Sequence, residues 1–99
     1  MFVTPLFKLM ADKQASDMFF TSGAPIQIKI NGTVMPINNQ PLDPEQVKKI
    51  SYELMTEPQI KEFETVHEMN FAQSGGELGN FRINIFLQKN TVAMVIRFV

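Results

Sequence analysis

Large apolar side chains occupy every second position along two runs near the end of the chain, residues 81–88 and 91–98. A period of two is typical of β-strands that bury one face. Only Lys89 and Asn90 separate the runs, and asparagine tolerates the positive φ that a two-residue turn requires. The pattern therefore predicts an antiparallel hairpin, which we term the closing hairpin.

One face of the closing hairpin is expected to belong to the core. Its register forms four apolar cross-strand pairs: Phe81 with Phe98, Ile83 with Ile96, Ile85 with Met94, and Leu87 with Val92. The members that we expect to be buried are Ile83, Ile85, Ile96 and Phe98. If Phe98 is a core residue, Phe98→Ala should cost about 3–5 kcal/mol.

The other face of the closing hairpin brings two arginines together, because the same register places Arg82 directly across from Arg97. Like charges in that position destabilise a sheet. The planar fork of arginine suits a phosphate or a carboxylate. Two hypotheses follow: an anion-binding pair, or two solvated arginines with local acidic partners. The residues alone favour the second, since solvated charge is the usual state of a strand surface.

A second hairpin is predicted in the first half of the chain. Apolar residues alternate through residues 26–30, and Asn31-Gly32 follows them, the strongest short turn signal. Pro36 cannot donate a backbone hydrogen bond, so the second strand of this hairpin should lie at an edge of the sheet. Further short strands are predicted at residues 18–21 and 68–72.

Three helices complete the pattern. Thr4, as a cap before Pro5, predicts a helix that ends near Gln14. Asp43 and Thr56 are the expected caps of two more helices. The resulting order, α-β-β-β-α-α-β-β-β, predicts an α+β fold: a mainly antiparallel sheet with its helices packed on one face.

Composition and charge argue against several classes of function. The formal net charge is −1, which provides no basic field for nucleic acid. There is no cysteine, hence no disulfide and no thiolate chemistry. We find no signal peptide and no apolar stretch of about 20 residues, so we expect a soluble, cytoplasmic protein. The strand pattern runs to the last residues, and we expect the chain to be a piece of a longer protein.

Residues for catalysis or metal binding are sparse. There is no GxxxxGK[ST] phosphate loop and no GxGxxG fingerprint, and the glycine-rich segment at Ser74-Gly75-Gly76 is not followed by a helical pattern. The single histidine, His67, is expected to have a surface or capping role near a helix end. We predict no metal site and no catalytic residue in this chain, which alone should not be an enzyme.

Several segments together resemble one family, the bacterial type IV pilus retraction ATPases (PilT/PilU). Residues 14–19, QASDMF, resemble the family's GASDLH, and residues 23–32 are similar to its AGxPPxxxRx(D/N)G. Residues 81–88, FRINIFLQ, are similar to its FRV(N/S)AFxQ, and Arg97 matches the arginine that ends the next strand. The resemblance runs nearly end to end.

Other residues point to a branch of the family or depart from it. Asn70-Phe71-Ala72 and Phe19 resemble the PilU branch. Gln14 stands where the family usually has glycine, which puts a tight helix end there in doubt. Phe19 stands where the PilT branch usually has histidine, which removes any role of that histidine.

The resemblance implies that residues 1–99 are the PAS-like N-terminal domain of a hexameric secretion-type ATPase. The RecA-like ATPase domain that follows in the family is absent from this fragment. ATP and Mg²⁺ would be cofactors of the full-length protein and not of the fragment. Arg82 and Arg97 match the family's arginines that reach the nucleotide phosphates, and with the resemblance added we favour that hypothesis over solvated charge.

The resemblance also implies partners and a location. The partners are the protein's own C-terminal ATPase domain, neighbouring subunits of a homo-hexamer, a PilT-type partner motor and the inner-membrane pilus platform; nucleic acid is not among them. The protein would be cytoplasmic, peripheral to the inner membrane, and would couple ATP hydrolysis to twitching motility.

An alternative is a PAS-like sensory or adaptor module that binds a small ligand or a protein within its sheet. Such a module needs a polar lining in the core, and the apolar pairs of the closing hairpin leave little room for one.

Overall fold

The computed structural model describes residues 1–99, and its helices and strands follow the predicted order. The helices are α1 (Thr4–Lys13), α2 (Pro44–Glu53) and α3 (Glu57–Val66). The strands are β1 (Asp17–Phe20), β2 (Gln27–Ile30), β3 (Thr33–Pro36), β4 (Glu68–Ser74), β5 (Asn80–Gln88) and β6 (Thr91–Phe98). A short 3₁₀ helix, Gly76–Leu78, lies in the glycine-rich turn before β5.

Both predicted hairpins form around the predicted turns. Asn31 and Gly32 have φ of 49° and 80°, and Lys89 and Asn90 have φ of 51° and 64°. Positive φ at both central residues is the geometry of a type I′ turn, whose twist matches that of the flanking strands. The register of the closing hairpin is therefore the predicted one, from Gln88 opposite Thr91 outward.

The strand order is β3-β2-β1-β6-β5-β4, and all pairs are antiparallel. β1 pairs with both β2 and β6, so it joins the two hairpins into one six-stranded sheet. β3 is an edge strand, as the proline at its end predicts. The fold is α+β, as predicted.

The predicted caps of α2 and α3 are confirmed. Asp43 and Thr56 each accept a hydrogen bond from the backbone of a glutamine three residues later, and that glutamine side chain accepts one in return. The predicted cap of α1 is wrong, because Val3 occupies the cap position without a side-chain hydrogen bond and Thr4 is already helical. Val3 is fully buried, so apolar packing rather than a hydroxyl fixes the start of α1.

Gln14 caps the end of α1; it adopts the left-handed conformation with φ of 54° and is exposed. A side chain in this conformation costs about 1–2 kcal/mol, which glycine avoids. We therefore expect Gln14→Gly to raise the free energy of unfolding by about 1 kcal/mol, despite the greater backbone entropy of glycine when unfolded. Denaturant melts measure this, with Lys13→Gly, at the last helical residue of α1, as the control that should lose up to about 1 kcal/mol. Unchanged or lower stability of Gln14→Gly would contradict the expectation.

One cluster of buried apolar side chains lies between the sheet and the helices. It joins residues of all three helices, such as Phe7, Val47 and Phe63, to the apolar face of the sheet. The only buried polar residues are Asp17 and Ser51. The core therefore contains no polar lining of the kind that a ligand-binding sensory module would need.

Three of the four burial predictions for the closing hairpin hold, since Ile83, Ile85 and Ile96 are at most 1% exposed. The prediction for Phe98 is wrong, because this residue is 42% exposed. Phe98 is the last residue of β6, and its ring contacts Phe81 edge-on at 5.5 Å while much of its surface has no cover. Pairing with a buried residue does not bury a side chain at the end of a sheet.

Candidate anion-binding site on the open face

The helices cover one face of the sheet, and the side chains between the core positions of each strand lie on the other. We call this surface the open face; its residues near the middle of the sheet are Asp17, Phe19, Asn70, Arg82, Asn84, Val95 and Arg97. They come from β1, β4, β5 and β6, which are adjacent in the sheet. Together they line a depression of about 400 Å³.

The two arginines predicted to face each other do so in the structure. Arg82 on β5 is directly opposite Arg97 on β6, and both are exposed. They are also the only arginines in the chain. Two like charges at one cross-strand position repel each other and destabilise the sheet. An anion bound between the two guanidinium groups would offset that repulsion.

The arginines differ in their partners. Arg97 Nε lies 3.4 Å from Asp17 Oδ2, whereas Arg82 makes no ion pair. Asp17 was not among the predicted site residues, and the strand predicted at residues 18–21 begins one residue earlier, so that Asp17 is opposite Arg97 in the sheet. The hypothesis of a local acidic partner therefore holds for Arg97 but not for Arg82.

Asn84 supplies an unused acceptor in the same depression. It lies two residues from Arg82 on the same face of β5, and opposite Asn70 of β4. The side-chain oxygen of Asn84 is buried and has no hydrogen-bond partner. A buried acceptor without a donor is costly, and a donor group on a ligand would satisfy it. Sequence reasoning missed Asn84, because a lone asparagine on a strand carries no signal of its own.

The chemistry that this site supports is anion binding. Arg82 has all five guanidinium donors free of hydrogen bonds, and Arg97 donates to Asp17 only through Nε. Two guanidiniums and one carboxylate leave a net local charge of +1. The depression contains no histidine, serine or cysteine that could act as base or nucleophile. Nowhere in the chain do three or more metal-ligating side chains converge.

The amino-acid sequence of the chain is similar to those of two pilus ATPases. The chain is 45% identical to the type IV pilus ATPase PilU of Pseudomonas aeruginosa over 92 residues, which are 93% of this chain and 24% of that protein. It is 33% identical to the type IV pilus retraction ATPase PilT of the same organism over 97 residues, 98% of this chain and 28% of that protein. No family model matches.

A solved structure of the pilus retraction motor PilT with bound ADP matches the fold. Its TM-score is 0.88 at 25% identity, over 98% of this chain and 29% of that chain. This chain is homologous to the amino-terminal region of PilT/PilU-type pilus ATPases. The higher identity to PilU agrees with the branch that Phe19 and residues 70–72 indicate.

The chain spans about a quarter of the length of the curated relatives that it matches, 24% of PilU and 28% of PilT. None of its helices has both the length and the apolar character needed to cross a membrane. The sequence motifs predicted both the homology to PilU and PilT and the fold that the PilT structure shares. They did not predict the contact between Asp17 and Arg97.

A second cavity, of about 460 Å³, lies between α2, α3 and the turn of the closing hairpin in this PilT/PilU-type domain. Tyr52 of α2 donates a hydrogen bond to Glu64 of α3 at 2.9 Å, and Lys48 lies over the tyrosine ring. His67, at the rim, is exposed and ends α3 in the left-handed conformation, consistent with its predicted surface or capping role. The cavity thus contains one polar pair that ties α2 to α3.

Burial, the hydrogen bond to Glu64 and the charge of that carboxylate together raise the pKa of Tyr52 from 10.0 to about 12, and burial contributes most. Tyr52 is the only tyrosine and there is no tryptophan, so phenolate absorbance reports this residue alone. We expect a titration midpoint near 12 in the folded protein. Glu64→Gln should lower the midpoint, and Glu62→Gln should not. A midpoint at the ordinary value of 10.0 in the folded wild type would contradict the contact.

Proposed function

We propose that this chain is the N-terminal domain of a PilT/PilU-type pilus retraction motor, and that Arg82 and Arg97 bind phosphate groups of ATP. The ATP would be held by a RecA-like ATPase domain that follows in the full-length protein. The single observation that carries the proposal is the placement of the only two arginines directly opposite each other on the open face. The homology to PilU and PilT supports the choice of phosphate as the anion.

The arginines would act on charge rather than as acids or bases. Phosphoryl transfer develops charge on the transferred group, and arginine side chains that contact it can accelerate turnover by about 10³–10⁵-fold. The depression on the open face contains two cationic donors and no histidine, serine or cysteine, which suits charge stabilisation. The ATP cradle and the Mg²⁺ ligands would come from the ATPase domain, since this chain has no phosphate loop.

The assembly proposed for the full-length protein follows the family. The N-terminal domain would pack against the ATPase domain of a neighbouring subunit in a homo-hexamer, so that ATP hydrolysis moves one domain relative to the other. The motor would act in the cytoplasm at the inner-membrane pilus platform, together with a PilT-type partner motor, and drive pilus retraction in twitching motility. The 99 residues alone would then have no ATPase activity.

Lysine substitutions test whether the arginines contact phosphate through their planar fork. We expect Arg82→Lys and Arg97→Lys in the full-length protein to restore only part of the ATP turnover that alanine removes, because lysine keeps the charge but not the bidentate geometry. Steady-state turnover measures this, with the partner motor included if activity alone is low. Full turnover in the lysine variants would show that only the positive charge matters and not the bidentate geometry. Wild-type turnover in the alanine variants would refute the proposal.

A further inference from the structure

We infer that Asp17 is a positioning residue that orients Arg97 toward the nucleotide phosphates. The inference rests on the proposed function of the arginine pair and assigns the two arginines different roles. Asp17 does not touch the anion in this account; it acts through Arg97.

The burial of the two partners is unequal. The side chain of Asp17 is 11% exposed, whereas that of Arg97 is 70% exposed. A carboxylate on the open face of a sheet is normally solvated, and a buried one requires a partner. The only ion pair that Asp17 makes is the one to Arg97. The buried carboxylate is thus a fixed point, and the exposed arginine is the group that can reach a ligand.

The atoms in contact show how the arginine is oriented. Arg97 Nε, the guanidinium nitrogen bonded to the side-chain stem, donates to Asp17 Oδ2 at 3.4 Å. This contact uses only Nε, so neither terminal nitrogen of Arg97 donates a hydrogen bond within the domain, and both remain available to a phosphate. Arg82, which has no such partner, must be ordered when the anion binds. Ordering a long side chain on binding costs conformational entropy, which Arg97 has already lost through its contact with Asp17.

Positioning and plain electrostatics predict opposite results for removal of Asp17. If the carboxylate acted only through its charge, its removal would make the site more positive and would tighten ATP binding. If it positions Arg97, its removal misplaces a guanidinium that must meet the transition state. Misplacement by about 1 Å can cost about 10²-fold in rate.

The test uses ATP turnover by the full-length protein. We expect Asp17→Ala to lower kcat about 10-fold with little change in KM, since the lost interaction belongs to the transition state. Asp17→Asn keeps an acceptor at the same place and should stay within about 3-fold of wild type. Asp12→Ala is the matched control, because it removes the same charge and breaks the exposed ion pair to Lys8 on α1. It should leave kcat unchanged.

A double-mutant cycle separates positioning from a merely structural role. In an Arg97→Ala background, Asp17→Ala should cause no further loss of kcat. An equal 10-fold loss in that background would overturn the inference, as would wild-type kcat or tighter ATP binding in Asp17→Ala alone. Asp17→Val, which also lacks an acceptor, replaces Asp17→Ala if the latter does not fold.

The same cycle distinguishes this inference from the proposal on which it rests. Wild-type turnover in Arg97→Ala would remove the phosphate role of that arginine and the positioning role of Asp17 with it. A large loss in Arg97→Ala, together with wild-type turnover in Asp17→Ala, would overturn only the positioning role.

Discussion

Arg82→Ala is expected to lower ATP turnover by the full-length protein about 10²-fold while leaving the melting temperature of the fold unchanged. Arginines that stabilise charge on the transferred phosphoryl group contribute about 10³–10⁵-fold, and two arginines that share one anion should contribute less each. Arg82 is exposed and makes no ion pair, so its loss removes no contact that holds the fold together. Relief of the like-charge opposition to Arg97 would raise stability slightly, if at all.

The control for Arg82→Ala is Lys61→Ala. Lys61 is an exposed cation on α3, and α3 packs on the face of the sheet opposite the arginines. Loss of a positive charge there should leave turnover unchanged. Equal losses in Arg82→Ala and Lys61→Ala would indicate a general effect of net charge. A lower melting temperature in Arg82→Ala would show that its side chain supports the fold.

Phe81→Ala is expected to cost about 3–5 kcal/mol of unfolding free energy, which is a large part of the stability of a domain of this size. Phe81 is fully buried on β5. Its ring stacks on Phe7 of α1 at a centroid distance of 4.3 Å and meets the edge of Phe98 at 5.5 Å. Its removal leaves a cavity between α1 and the sheet and also removes two aromatic pairs.

Phe98→Ala provides a matched control, since Phe98 is the same residue type at the directly opposite position. Because Phe98 is 42% exposed, its truncation loses less burial and opens no enclosed cavity. We expect a cost of about 1–2 kcal/mol, at the low end of the range for burial of an apolar side chain. Denaturant melts of both variants decide the order. Equal costs would contradict the burial of Phe81 and the exposure of Phe98.

Local features of this fold were predictable because short-range geometry determines them. Asn31-Gly32 and Lys89-Asn90 dictate type I′ turns, and a two-residue turn fixes the register of every residue pair beyond it. The opposition of Arg82 and Arg97 follows from that register alone. Capping boxes are equally local, and both predicted boxes formed.

Features that depend on distant segments were not predictable in the same way. Strand order is determined by the packing of the whole chain, and only the structure places β1 beside β6, with Asp17 opposite Arg97. Asp17 carried one weak signal, an acidic residue directly before the apolar run Met18–Phe20. The exposure of Phe98 also depends on what lies above the end of the sheet, which strand periodicity does not describe.

The most direct test of the arginine proposal is a structure of the full-length hexamer with magnesium and a non-hydrolysable ATP analogue. The proposal predicts that guanidinium nitrogens of both Arg82 and Arg97 lie about 2.7–3.2 Å from phosphate oxygens of the same nucleotide, in the range of charge-assisted hydrogen bonds. Arg97 should keep its contact with Asp17 through Nε. Both guanidinium groups lying in solvent, or bound only to acidic side chains while the nucleotide site is occupied, would contradict the proposal.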